Sequence, residues 1–371
     1  MQTSTFKKGL LGLTAVALST ALAGNVKAEG PTITGFVDVG YNYNLNGQIT
    51  NGFRGYDDKS NSITLQNAEL DFEGKANDTV GYRLDLMYGH DATVTRIGDT
   101  TRTPGTLDFE VQQAYLTFGC PFTGGTFALG KFVTPFGAEV IEAKDNFNIS
   151  RGFLFNYAIP FAHTGLKMDK AFAEGKLTAM AGVVNGWDNM NDNNKSKTII
   201  AQVGTAVLPM TKVLVGGSYG PEGVLESTST AQNGRSLLDT VVIFTPTSKL
   251  TLVGNYDWGV QEGTIDTPVD GNSTQNWQGL GLHANYALTD VFSVAGRYEY
   301  LDDEGSRTGI SSNNDGAVLK SGTLTLQAKK DSITYRLEYR QDQASQKVFI
   351  DSDGVADDVQ STIGAQVIYA F

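Results

Sequence analysis

The feature that most restricts how this chain can fold is a pattern repeated from about residue 30 onward. Segments of about ten residues, with apolar and polar side chains in alternation, follow one another to the end of the chain. In one of them Ile333, Tyr335, Leu337 and Tyr339 alternate with Thr334, Arg336, Glu338 and Arg340. In an extended strand successive side chains point to opposite faces, so this segment has one apolar face and one ionic face. The same holds for Tyr82, Leu84, Leu86 and Tyr88 against Arg83 and Asp85, and for Val294, Gly296, Tyr298 and Tyr300 against Arg297 and Glu299. It also fits Leu252, Gly254, Tyr256 and Trp258, with Tyr and Trp gathered toward strand ends.

Alternation alone does not separate a soluble sandwich, which buries its apolar faces, from a membrane barrel, which turns them outward. The order of the connections does. Strands are expected at 33–43, 63–73, 80–89, 109–119, 125–132, 163–172, 176–187, 198–208, 212–219, 236–245, 250–258, 277–288, 292–301, 317–328, 332–340 and 361–371. Between them, short connections such as 74–79, 120–124, 173–175, 289–291 and 329–331 take turns with long polar ones such as 44–62, 220–235, 259–276, 302–316 and 341–360. Outer-membrane barrels have that order, and a soluble fold has no reason to keep it. The expected fold class is therefore all-β, a transmembrane antiparallel β-barrel of about 16 strands occupying 29–371 as one domain. An even strand count puts both ends of the barrel on the same side.

The start of the chain agrees. Lys7 and Lys8 precede an apolar run from Gly9 to Ala23 and then Val26-Lys27-Ala28, the features of an export signal cleaved after Ala28. That run is shorter than the ~20 residues a spanning helix needs. Without residues 1–28, 25 basic residues stand against 40 acidic ones, a balance of −15 that argues against nucleic-acid binding. Cys120 is the only cysteine, so no internal disulfide forms. His90, His163 and His283 are scattered without metal-ligand spacing, and no nucleophile elbow or P-loop is present. No enzyme activity, cofactor or metal is expected. The acidic stretch Asp351 to Asp358 lacks the closing Glu of a calcium loop and reads as a solvated turn.

One connection breaks the pattern. Residues 133–162 form a long aromatic loop containing Phe147, Phe153, Phe155, Tyr157 and Phe161, rings that are costly to leave in water. The loop is expected to fold into the barrel as a constriction, with Glu139, Glu142, Lys144, Asp145 and Arg151 as its candidate passage residues. Arg83, Asp85, Arg297, Glu299, Arg336, Glu338 and Arg340, with Glu69 and Asp71, are candidate lumen-wall charges. Lys131 can be read with either facing, because one residue of slippage reverses a strand.

Here the sequence resembles the OmpL-like family of β-barrel porins. The resemblance rests on Gly130, Lys131, Phe132, Pro135, Phe136, Gly137 and Glu139, then Asn146, Ser150 and Arg151, then Pro160, Phe161, His163, Thr164 and Gly165. It implies a passive aqueous channel for small polar solutes and ions, with no preferred solute named. The last strand, Ile363 to Phe371, resembles the terminal signal read by the barrel assembly machinery, with Phe371 as its key residue. Expected partners are outer-membrane lipid and lipopolysaccharide, and porins of this size commonly form homotrimers. The acidic balance and acidic loops favour a weak preference for cations. A non-conducting adhesin or structural barrel, binding partners through its external loops, is the alternative reading.

Overall fold

Sixteen alternating segments close on themselves. The computed structural model describes residues 30–96, 108–194, 196–206, 208–222, 233–262, 274–303 and 316–371. The expected export signal, and the tips of the loops at 223–232, 263–273 and 304–315, lie outside the described residues.

The first half of the wall comprises Thr32–Asn44 (β1), Ser62–Lys75 (β2), Val80–Gly89 (β3), Asp108–Gly119 (β4), Thr126–Val133 (β5), Ala162–Phe172 (β6), Leu177–Val184 (β7) and Thr198–Thr205 (β8). It continues through Thr211–Glu222 (β9), Asn233–Thr247 (β10), Leu250–Glu262 (β11), Thr274–Ala287 (β12), Phe292–Asp303 (β13), Ala317–Lys330 (β14) and Ile333–Ala344 (β15). A two-residue hairpin, Phe349–Ile350 (β16) with Ala356–Asp357 (β17), sits in the last loop, and Val359–Ala370 (β18) completes the wall. Each wall strand pairs antiparallel with its neighbours in sequence, and β18 pairs with β1, so no edge is left open. Closure matters because an unpaired N–H or C=O facing hydrocarbon has no water to bond. Phe371 finishes the seam: its N–H donates to Gly35 O at 2.9 Å and its O accepts from Gly35 N at 3.0 Å.

The two faces of each wall strand differ in burial. Along β15 burial alternates residue by residue, with Tyr335, Leu337 and Tyr339 exposed outward and Arg336, Glu338 and Arg340 buried inward. Leu280, Leu282, Leu324 and Leu326 continue the outer apolar belt. Register slips once between β1 and β2, at Asp38/Val39, and once between β3 and β4, at Asp85/Leu86. Such bulges increase local twist. At the turn end the connections are short and self-satisfied: Asn77 Oδ1 accepts the N–H groups of Thr79 and Val80, each at 2.9 Å. Gly124, at φ 68°, closes the turn at Cys120, whose O accepts its N–H at 2.9 Å.

At the loop end the chain is more structured. The helix His90–Thr95 (α1) follows β3, and residues 45–61 fold back over the mouth. Among the described residues no helix is long and apolar enough to cross a membrane, a statement that does not bear on strands.

Candidate functional site

The segment between β5 and β6 leaves the wall at Val133 and rejoins it at Ala162, residues that are directly paired. Its neck is stapled: Thr134 N donates to Phe161 O at 2.9 Å, and the N–H groups of Phe161 and Ala162 both donate to Asp188 Oδ1, at 2.7 and 3.0 Å. Residues between these points have no strand partner. A backbone taken away from water needs replacement partners, because an unmet N–H or C=O costs free energy. Inward side chains of the wall supply them.

On the wall opposite the neck, Glu338 takes two backbone donors, Ile149 N at 2.6 Å and Ser150 N at 3.0 Å. Arg297 donates to Ser150 O at 2.5 Å and to Ser150 Oγ at 3.0 Å. Arg336 donates to Ala143 O at 2.8 Å and Asn146 O at 2.6 Å, and Arg340 to Arg151 O at 2.7 Å. Glu299 accepts Leu154 N at 3.3 Å. Farther round the wall, Asp239 accepts Gly137 N and Asn255 accepts Ala138 N, each at 3.0 Å. Trp277 Nε1 donates to Ala158 O at 3.0 Å and Gln202 Nε2 to Pro135 O at 2.6 Å. The segment is thus fastened across the inside of the barrel from β8 to β15.

Two charged residues of the segment brace it internally. Glu139 pairs with Arg297 at 2.5 Å and accepts Gly152 N at 2.6 Å, so one carboxylate joins wall and segment. Arg151 donates to the carbonyls of Ile141 and Ile149, lies 4.4 Å from the Tyr56 ring centroid, and faces Asp91 at 3.5 Å. Close approach depends on glycine: a Cβ at Gly152 would lie 1.9 Å from the Glu299 carboxylate, and one at Gly279 would lie 2.7 Å from Leu154 Cδ1. Of the segment's rings, Phe153 and Phe155 are buried and Phe147, Tyr157 and Phe161 half-buried. Phe155 packs on Phe161 and Tyr56 with centroids 5.4 and 5.8 Å apart, and Phe153 lies 4.7 Å beneath the Arg340 guanidinium.

The sequence candidates therefore divide into two groups. Arg297, Glu299, Arg336, Glu338 and Arg340 face inward, but the segment covers them, and all are buried. They act as its clamps. Glu139 and Arg151 are buried with them. Water reaches a different set: Lys144 and its neighbour Asp145 on the segment, and Arg83 on β3, which bonds Asp85 at 2.8 Å and lies 3.8 Å from both Asp71 and Glu73. Glu142 accepts Gln112 Nε2 at 2.6 Å, a contact between the segment and β4. Lys131 faces inward, paired with Glu110 and donating to Val111 O at 2.7 Å. All three histidines are buried, and His90 bonds Asp58 at 2.7 Å. Asp351 accepts the N–H groups of Asp353 and Val355, at 2.9 and 2.8 Å, so the acidic stretch makes a turn closed by its own side chain. Among the described residues no group of three or more His, Cys, Asp or Glu is placed to hold a metal ion.

Sequence reasoning missed Asp239, Asn255, Gln202 and Trp277 as anchors. A signal existed for Asp239: it is a lone charge at an inward position of the apolar run Leu237 to Phe244. Arg54 carried none. From the loop 45–61 it donates to Asp342 Oδ2 at 2.6 Å and to Thr362 Oγ1 at 3.2 Å, and pairs with Asp57. That places Tyr56 over the aromatic cluster of the inward segment.

The family model described as "Putative beta-barrel porin-2, OmpL-like" matches residues 30–371, the whole barrel. The chain belongs to this family. It is an outer-membrane barrel of the porin type, and its closed wall and outward apolar belt agree with that family. Similar solved structures include the trimer form of OmpT of Vibrio cholerae, at 15% identity and TM-score 0.60, covering 92% of this chain and 100% of that one. An anion-selective porin from Comamonas acidovorans matches at 12% and 0.61, covering 92% and 99%. The outer membrane channel DcaP of Acinetobacter baumannii matches at 14% and 0.58, covering 92% and 97%. At such identities the likeness is one of fold. No curated protein sequence matches.

Proposed function

We propose that this member of the OmpL-like porins is a passive aqueous channel for small polar solutes and ions, and that residues 134–161 form its constriction. The observation that carries the reading is the fastening of that segment across the inside of a closed barrel, by wall side chains from β8 to β15. An adhesin that used only its outer loops would have no need to commit these inward residues to a loop inside the wall. The water-exposed charges Arg83, Lys144 and Asp145 mark the part of the lumen left for solutes. Purified, folded protein in planar bilayers is expected to give stable ohmic steps, and silence would end this reading.

In the same proposal residues 1–28 are the export signal, the barrel sits among outer-membrane lipid and lipopolysaccharide, and Phe371 serves the assembly machinery. A homotrimer fits by analogy with the trimer form of the Vibrio cholerae relative. Cross-linking of detergent-extracted protein tests it.

A further inference from the structure

Where the inward segment first meets the far wall, two aspartates face one another. Asp239 on β10 and Asp257 on β11 are directly opposite in the strand register. Both side chains point inward and both are 0% exposed, and directly opposed residues of antiparallel strands have Cβ atoms about 4.5–5.5 Å apart, which lets the two carboxyl groups reach one another. Like charges directly opposite on a sheet repel, and burial without a counter-ion compounds the cost. No Lys, Arg or His forms an ion pair with either one among the described residues. Asp239 Oδ2 accepts two donors, Gly137 N at 3.0 Å and Asn255 Nδ2 at 3.1 Å. Asp239 Oδ1 and both oxygens of Asp257 accept none.

We propose that Asp239 and Asp257 share one proton and act as a positioning pair that ties docking of residues 135–138 to pH. The shared proton supplies the missing donor, bonding Asp239 Oδ1 to an oxygen of Asp257 and leaving the pair with one negative charge. That charge is met by Gly137 N–H and Asn255. Loss of the proton leaves two facing carboxylates that only water can relieve, and water reaches them when the backbone at Gly137 and Ala138 lifts from the wall. Docking therefore takes up a proton, and by linkage the docked state is favoured at lower pH and weakened as pH rises. The other charged groups of this region do not cancel the effect. Glu299 adds negative charge from β13, His283 lies on β12, and the positive charge of Arg297 is already met by Glu139 and Glu299. The facing strand β9 presents Gly216 and Gly217.

The inference rests on the constriction reading for its effect on current, but not for its effect on docking. Two readouts on the full folded chain separate them. Amide exchange at residues 136–140, corrected for intrinsic rates, should speed up in the wild type as pH is raised from 6 to 9, by up to about tenfold per pH unit, the limit set by release of one proton. In Asp257→Asn, whose amide is a permanent donor without charge, that extra pH dependence should vanish. Single-channel conductance or open-state noise should rise over the same range in the wild type and stay flat in Asp257→Asn. Asp239→Asn, which keeps a donor at the pair, should flatten the pH profile as well. Equal pH profiles of exchange in wild type and Asp257→Asn would overturn the shared proton. A pH-linked exchange profile in a protein that passes no current would instead uphold the pair and sink the channel reading.

Discussion

Removing the Arg297 guanidinium should loosen the constriction more than any other single change on the clamping wall. Arg297 makes four hydrogen bonds: to Glu139 Oε1 at 2.5 Å, Ser150 O at 2.5 Å, Ser150 Oγ at 3.0 Å and Thr323 Oγ1 at 3.3 Å. It also pairs with Glu299 at 3.2 Å. Three of those bonds reach the segment. In Arg297→Met the stem volume is roughly kept, but Glu139 retains only Gly152 N, and Ser150 O loses its donor. Breaking a buried ion pair from one side costs about 3–5 kcal/mol, because the partner charge stays buried and unpaired. Glu139 rides on the segment, so undocking is its route to water. A cost of that size shifts the docked-to-undocked ratio by roughly two to three and a half powers of ten. Planar-bilayer recordings should then show larger or noisier steps, and amide exchange at 139–152 should accelerate while the strands stay protected. Arg297→Lys, a point charge without the fork, should fall between. Conductance, noise and exchange all equal to wild type in Arg297→Met would refute the clamp.

Other expectations follow from the same geometry. Gly152→Ala puts a methyl 1.9 Å from a Glu299 oxygen, and that carboxylate is itself held by Ser321 and Leu154. The segment must therefore move off the wall, with raised conductance in an intact barrel; an unchanged channel would show that the contact yields elsewhere. Trp277→Ala removes a donor from Ala158 O and a ring packed against Trp187, so it should lower thermal stability by about 3–5 kcal/mol. A calorimetric change under about 1 kcal/mol would contradict that packing. At the mouth, burial alone would depress His90, but its bond to Asp58 outweighs this and holds the imidazole above its ordinary range. Burial likewise works to raise Asp58, yet His90 and Lys59 hold its carboxyl below the usual carboxylate range. The contact should therefore contribute fully between the ordinary carboxylate and imidazole ranges, fading as pH rises from the ordinary imidazole range through the raised His90 value and as it falls from the ordinary carboxylate range through the lowered Asp58 value. Exchange at 51–60 should be slowest in that window, and in His90→Gln the alkaline fading should be absent.

The barrel was legible because its cause is local. Lipid outside and polar groups inside impose a two-residue period on every strand, and the period can be read at Ile333 to Arg340 without knowing any partner. The alternation of short and long connections then set the direction of each strand, and with it the count of sixteen wall strands seen in the structure. The inward reading of Arg83, Asp85, Arg297, Glu299, Arg336, Glu338 and Arg340 rests on the same parity. Lys131 could not be assigned, because Gly130 and the short strand β5 leave both parities open, and only pairing with β4 and β6 sets it.

What those inward residues do was decided by tertiary structure. Glu139 and Arg297 are 158 residues apart, Ile149 and Glu338 189 apart, and Arg54 and Asp342 288 apart, distances at which no sequence period carries information. An inward charge can meet water or meet a folded-in backbone, and the two have the same sequence pattern. The inward segment made that choice. By crossing the barrel from β8 to β15 it turned one wall of candidate passage charges into buried anchors and left water to Arg83, Lys144 and Asp145. Burial and pairing depend on which surfaces come together in space, whereas strand period depends only on the solvent each face of a strand must meet.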